Sequence, residues 1–275
     1  MWGDVVGFLD RTWRLFGTGL SFAFFGIGGF LLGAMYCSIL RLIIHDPVRY
    51  AQAVRRVVSA AFRVFVWFMA AVGVLRWRVE GMPAPSAAQG CLVLANHPSL
   101  IDIVFLIGIF DGADCVVKAD VLRNPAFGLL TRAADYVSND DAGVFIEQSI
   151  ARLRAGRTVV MFPEGTRTVP GKPLAFSTAA GAILARSGCA AIPVVVTCDP
   201  PTLYKGLPWY RIPPRRPTFV LRACEPVRAP AAADPRLAAR EFTATLQQFF
   251  TAELARTAGG EMAVSGPAEP VRTSI

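Results

Sequence analysis

The chain has 275 residues, enough for one large domain or two modest ones, and 28 Lys+Arg against 20 Asp+Glu give a net charge of +8. Only 17% of residues are charged and 53% are hydrophobic, which excludes a disordered chain. Lys and Arg are too sparse for a nucleic-acid module, so no nucleic-acid partner is expected, and the apolar surplus points to a membrane.

From Phe16 to Leu40 no residue is charged, a run of 25 that is long enough to span a hydrocarbon core with some tilt. Its glycines, Gly17, Gly19, Gly26, Gly28, Gly29 and Gly33, are costly in a soluble helix but common where membrane helices pack closely. A second apolar stretch, Val57 to Leu75, is interrupted by Arg63, and Arg41, Arg49, Arg55 and Arg56 lie between the two. Two full crossings would put those arginines on the non-cytoplasmic side, against the positive-inside rule. Two arrangements avoid this. The first helix crosses and the second lies at the interface with Arg63 snorkelling, or both form a hairpin dipping into the cytoplasmic leaflet. Residues 1–75 are therefore expected to be a membrane anchor with interfacial helices.

Beyond Leu75 the texture changes to short β-rich runs alternating with helical patterns. Expected strands are Leu75–Glu80, Cys91–Ala95, Cys115–Val117, Tyr136–Ser138, Thr158–Phe162, Ala190–Thr197 and Thr218–Ala223, with helices near 99–110, 141–155 and 174–187. Runs such as Val159-Val160-Met161-Phe162 lack polar alternation, as strands covered on both faces do. The fold class is α/β, with a mixed, largely parallel sheet flanked by helices. Asp234-Pro235 marks a helix start, and that helix is expected to reach Arg256. The units are then 76–256 as the globular domain and 257–275, rich in Gly, Pro, Ala and Ser, as a disordered tail. Six scattered cysteines without a C-x-x-C pair read as reduced thiols rather than disulfides or a zinc site.

Two clusters carry chemistry, each directly after a buried strand. In Asn96-His97-Pro98-Ser99-Leu100-Ile101-Asp102 the His and Asp are five apart, about 500° on an ideal helix, so they cannot share a helix face. His97 belongs in the preceding loop, with Asp102 reaching back from the first turns to set its tautomer. Ser99 reads as a helix cap. The second cluster, Phe162-Pro163-Glu164-Gly165-Thr166-Arg167-Thr168, ties two charged residues to a Gly turn whose amides and guanidinium suit an anion.

Together, the N-H-x-x-x-x-D block at Asn96, His97 and Asp102 and the F-P-E-G-T-R block at Phe162 through Arg167 resemble the glycerolipid acyltransferase family, the lysophosphatidic acid acyltransferases and their relatives. Ile192-Pro193-Val194-Val195 matches the family's later block, and the resemblance covers about 75–225. It implies a membrane-associated O-acyltransferase of phospholipid biosynthesis or remodelling. Such an enzyme moves an acyl chain from acyl-CoA or acyl carrier protein to a hydroxyl of a lysolipid such as 1-acylglycerol-3-phosphate. The alternatives are a different lipid or glycolipid acceptor, or a non-enzymatic lipid-binding protein of the same fold.

The resemblance further implies His97 as general base and Asp102 as its partner, with Glu164, Gly165, Thr166, Arg167 and Asn96 binding substrate. No metal or resident cofactor is implied, the thioester being a co-substrate, and the expected location is the inner membrane with the catalytic domain cytoplasmic. One departure concerns the acceptor. Where lysophosphatidic acid enzymes carry an Arg between the two blocks, this chain has Asp140, and Ser177-Thr178-Ala179 replace a later basic residue and Gly. Lys118, Arg132, Lys172 or Lys205 are the candidate substitutes, Lys118 being placed in the substrate site.

Overall fold

A computed structural model of the chain describes residues 2–124, 127–230 and 234–261. Helix α1 (Trp2–Leu31) continues through a π-helical turn, Leu32–Tyr36, into α2 (Cys37–Ile43). A short turn leads to α3 (Pro47–Ala71), whose start is set by the Asp46 side chain accepting from the Arg49 amide at 2.7 Å, with Pro47 in the first turn. There follow β1 (Arg76–Glu80), β2 (Leu92–Ala95), α4 (Asp102–Ile109), β3 (Asp114–Val117), α5 (Ala119–Arg123), α6 (Gly128–Ala133) and β4 (Val137–Ser138). The chain then forms α7 (Ala142–Arg154), β5 (Val159–Met161), α8 (Ala179–Ser187), β6 (Ala190–Asp199), β7 (Thr218–Ala223), β8 (Val227–Arg228) and α9 (Pro235–Glu261).

The strands form one sheet in the order β1-β7-β6-β2-β5-β3-β4, with β8 paired to β6. β6, β2, β5, β3 and β4 are mutually parallel, β7 and β8 run antiparallel to β6, and β1 is parallel to β7. This is the mixed, largely parallel sheet expected. Its central strands alternate between two buried faces. Val93 and Ala95 of β2 join a core with Val54, Val58 and Phe65 of α3 and Val104 and Phe105 of α4. Leu92 and Leu94 face the opposite core, with Phe145 and Ile150 of α7, Ile183 and Leu184 of α8, and Leu246 and Phe250 of α9.

Three expectations change. The first core continues across the 75/76 boundary, because Val54, Val58 and Phe65 of α3 pack into it beside α4. Arg63, which one of the two arrangements had snorkelling, is tied to the end of α4: it donates to Gly108 O at 3.0 Å and pairs with Asp111 at 3.2 Å. Helix α9, started as expected by Asp234 accepting from the Arg236 amide at 2.8 Å, runs past Arg256 to Glu261. Residues 257–261 of the expected tail are therefore helical, and 262–275 lie outside the described residues. α9 lies tight on α8 at Gly181, where any Cβ would collide with Ala239 O.

Helix α1 lies along the domain. Trp13 Nε1 donates to Val72 O at 2.8 Å, and the buried Arg14 donates to Pro213 O and Pro214 O at 2.9 and 3.1 Å. Phe25 packs on Phe62 and Phe127, and Gly33 lies against the backbone of Leu130. The opposite side exposes Phe8, Phe16, Ile27, Phe30, Met35, Ile39 and Leu42. The stretch Val5–Ile43 is long and apolar enough to cross a membrane by length and composition.

Candidate active site

Because β2 and β5 are parallel neighbours, with Leu94 beside Met161, the loops leaving their C-terminal ends emerge side by side. The first carries His97 and the second Glu164. Asp102 begins α4, is completely buried, and its Oδ2 lies 2.9 Å from His97 Nδ1. The same oxygen accepts from the Ser99 amide at 2.6 Å. The His97 ring stacks on Phe162 at 3.9 Å between centroids, with planes 13° apart. An ionised Asp102 accepts only, so it holds the Nδ1–H tautomer and leaves the Nε2 lone pair available. Nε2 makes no hydrogen bond among the described residues, and the ring is 15% exposed.

The two loops are tied together. Glu164 Oε1 accepts from the His97 amide at 3.0 Å, and the Thr168 hydroxyl reaches both Glu164 oxygens at 2.9 and 2.8 Å. The Thr168 amide closes the link on His97 O at 2.7 Å. Gly165 makes the turn possible by adopting φ +63°, a left-handed conformation costly for other residues. Burial pushes the Glu164 carboxyl above its ordinary range, opposed by the His97 amide and the Thr168 hydroxyl. Burial likewise raises Asp102, opposed by its bonds to His97 and Ser99.

The remaining expected residues divide. Asn96 is corrected: it is buried, and its side chain clamps β2 to β6 by donating to Val196 O and accepting from Val196 N, both at 2.8 Å. With its amide group engaged in this way it supports the site rather than contacting a substrate. Glu164 is similarly engaged by protein donors. Arg167 donates to Leu203 O at 2.8 Å and Tyr204 O at 3.4 Å, fastening the loop after β6 to the site. The Gly165 amide donates to Phe162 O, whereas the Thr166 amide makes no hydrogen bond among the described residues. Lys118 is exposed at the C-terminal end of β3, on the same sheet edge but one strand beyond β5. Ser99 is corrected too: Ile101 is the α4 cap residue, no side chain caps the helix, and the buried Ser99 Oγ has no partner among the described residues.

Thr168 and the stacking role of Phe162 were not singled out as functional from the sequence. The signal for Thr168 is its spacing, four after Glu164, which suits a hydroxyl reaching back across the Gly turn. The second histidine, His45, lies in the α2–α3 turn. Among the described residues no three His, Cys, Asp or Glu side chains gather as a metal site requires.

Residues 76–197 match the model of the family described as Acyltransferase. A 1-acyl-sn-glycerol-3-phosphate acyltransferase of Pseudomonas aeruginosa is 27% identical over 146 residues, covering 51% of this chain and 56% of that protein. A lyso-ornithine lipid O-acyltransferase of Rhizobium meliloti is 36% identical over 119 residues, covering 40% of each. The chain thus spans about half the length of the curated relatives it matches. The crystal structure of the LPA acyltransferase PlsC from Thermotoga maritima has the same fold, with a TM-score of 0.61 at 20% identity over 90% of this chain and 98% of that one.

Proposed function

From the premise that residues 76–197 form an acyltransferase-family domain, we propose that the protein is a membrane-associated O-acyltransferase acting on a lysolipid. The observation that carries the reading is the His97–Asp102 pair, with Nδ1 engaged, Nε2 unengaged and the ring at the mouth of two tied loops. In the reaction, Nε2 takes the proton of the acceptor hydroxyl as its oxygen attacks the thioester carbonyl of acyl-CoA or acyl carrier protein. A tetrahedral intermediate forms, the C–S bond breaks, and the leaving thiolate recovers the proton from His97. Asp102 stabilises the imidazolium in between. The Thr166 amide supplies an oxyanion donor, and the remaining N–H groups of Arg167 face the acceptor. Glu164, through Thr168, positions the His97 loop.

Membrane association rests on α1. Its contact with the domain at Arg14, and that of the following π-helical turn at Gly33, hold it lengthwise against the protein, with the other side apolar and exposed. That arrangement favours the hairpin dipping into one leaflet over a full crossing. The cytoplasmic face of an inner membrane, where thioester donors are made, is the matching location.

The acceptor is 1-acylglycerol-3-phosphate or another lysolipid. The Pseudomonas relative favours the first, whereas Asp140 and the identity to the Rhizobium lyso-ornithine lipid enzyme favour the second. The deciding test is an assay of purified protein against a panel of lysolipid acceptors with both thioester donors, read by mass spectrometry. Arg167→Ala is expected to raise the acceptor KM more than the donor KM. Wild type that forms no product, indistinguishable from His97→Ala, overturns the enzymatic reading.

A further inference from the structure

A cavity also lies away from His97. A pocket of about 450 Å³ lies between the α2–α3 turn, α6 and the N-terminal edge of the sheet, where Arg41, Tyr50, Arg55, Arg132, Asp135 and Arg157 line it. We infer that this pocket binds a phosphate-bearing anion, presented as the headgroup of an anionic membrane lipid.

The location separates it from the catalytic site. His97 and Glu164 follow the C-terminal ends of β2 and β5, whereas Arg157 precedes β5 and Asp114 begins the parallel β3, so the pocket occupies the opposite edge. Charge is in excess there. Arg152 and Asp114 join the lining residues through ion pairs, which sets five guanidiniums against two carboxylates. Arg157 Nε is buried and has no partner among the described residues.

The guanidiniums are also held in place before any ligand arrives. Arg55, only 4% exposed, donates to Ala134 O at 2.9 Å and Gly112 O at 3.2 Å. Arg41 donates to His45 O at 2.9 Å and lies 5.3 Å over the Tyr50 ring, and Arg132 donates to Leu122 O. Preorganised guanidinium forks match phosphate oxygens and lose little freedom on binding. The rim identifies the source of the anion. Val48 lines the pocket and is 68% exposed, and Leu42 and Ile43 beside it are 77% and 70% exposed. Apolar side chains at the lip of a basic pocket fit a headgroup whose tails stay in the bilayer.

The test uses the full chain in two assays, neither of which requires turnover, so failure of the acyltransferase reading leaves it intact. Flotation is measured with phosphatidylcholine vesicles with and without phosphatidylglycerol, and thermal midpoints are measured in detergent with and without inorganic phosphate. Phosphatidylglycerol is expected to strengthen flotation, and phosphate to raise the midpoint. R41Q/R132Q should lose about fivefold in vesicle affinity per arginine. Val48→Glu, a change at an exposed position with little risk to folding, should abolish both effects. R49Q/R56Q removes the same charge from exposed positions of α3 outside the pocket and should lose clearly less. Equal losses in the two double variants overturn the pocket in favour of diffuse surface charge. Phosphate stabilisation without any phosphatidylglycerol preference overturns the lipid source.

Discussion

At the C-terminal edge of β2, Asp102 is buried against one imidazole and one amide, and one of its oxygens has no partner among the described residues. At the N-terminal edge of β3, Asp114 is equally buried, and its Oδ2 likewise has no partner among the described residues, but its Oδ1 faces three guanidiniums, with Arg157 at 2.5 Å, Arg152 at 2.6 Å and Arg55 at 3.8 Å. The difference separates two uses of buried charge. Asp114 is surrounded by cations that join α3, α7 and the start of β5, so its charge holds elements together. Among the described residues Asp102 is ion-paired with no guanidinium, only with the imidazole, and its charge polarises a ring whose outer nitrogen remains unengaged. Buried charge with surplus partners reads as architecture, and buried charge aimed at one titratable group reads as chemistry.

The comparison breaks most visibly at His97. His97→Ala should cut acyl transfer by about 10²–10⁴-fold, followed by thiol release from the thioester donor, with little change in thermal stability. Full activity in that variant removes the base assignment. Asp114→Ala should do the reverse. Stranding three buried or half-buried guanidiniums is expected to cost about 3–5 kcal/mol in denaturant unfolding, with activity per folded molecule retained. A stable Asp114→Ala protein with lost activity would invert the division.

Acid titration sharpens the contrast further. Burial holds Asp102 and Glu164 above the ordinary carboxylate range, so the folded chain binds these protons more readily than the unfolded chain. Falling pH through that window therefore adds stability from these two groups, and rising pH removes it. Activity moves the opposite way, because protonated Asp102 no longer stabilises the imidazolium. Turnover is expected to fail on the acid side while the melting temperature holds; coincident loss would contradict this. The smallest effect is at Thr168. Thr168→Val removes the hydroxyl shared by the Glu164 oxygens and should cost about 1–3 kcal/mol of stability. A several-fold fall in kcat without a matching rise in acceptor KM would mark Thr168 and Glu164 as positioning residues, and a pure KM effect would return Glu164 to the acceptor site.

Much of the fold was legible in the sequence because its strands are short apolar runs bounded by turn residues. The seven expected strands all occur with small shifts at their ends. Helices α5 and α6 and strand β8 escaped because five, six and two residues carry no readable period. The His97–Asp102 pairing was legible because a five-residue spacing forbids a shared helix face and forces the loop-and-helix geometry. The clamp of Asn96 on Val196 was not, because its partner is a backbone a hundred positions away.

By itself, then, the sequence determined the α/β class, the two clusters, the apolar surplus and the family resemblance, all of which are set by local pattern and residue chemistry. Only the tertiary structure decided that α1 lies against the domain and that α3 closes its core. Only it showed Asn96 and Glu164 bracing the site, and Arg55, expected at most to mark a basic flank, converging with Arg157 around Asp114. The reason is physical. Burial and pairing depend on which strand ends become neighbours, and strand order comes from long-range packing that no local spacing contains.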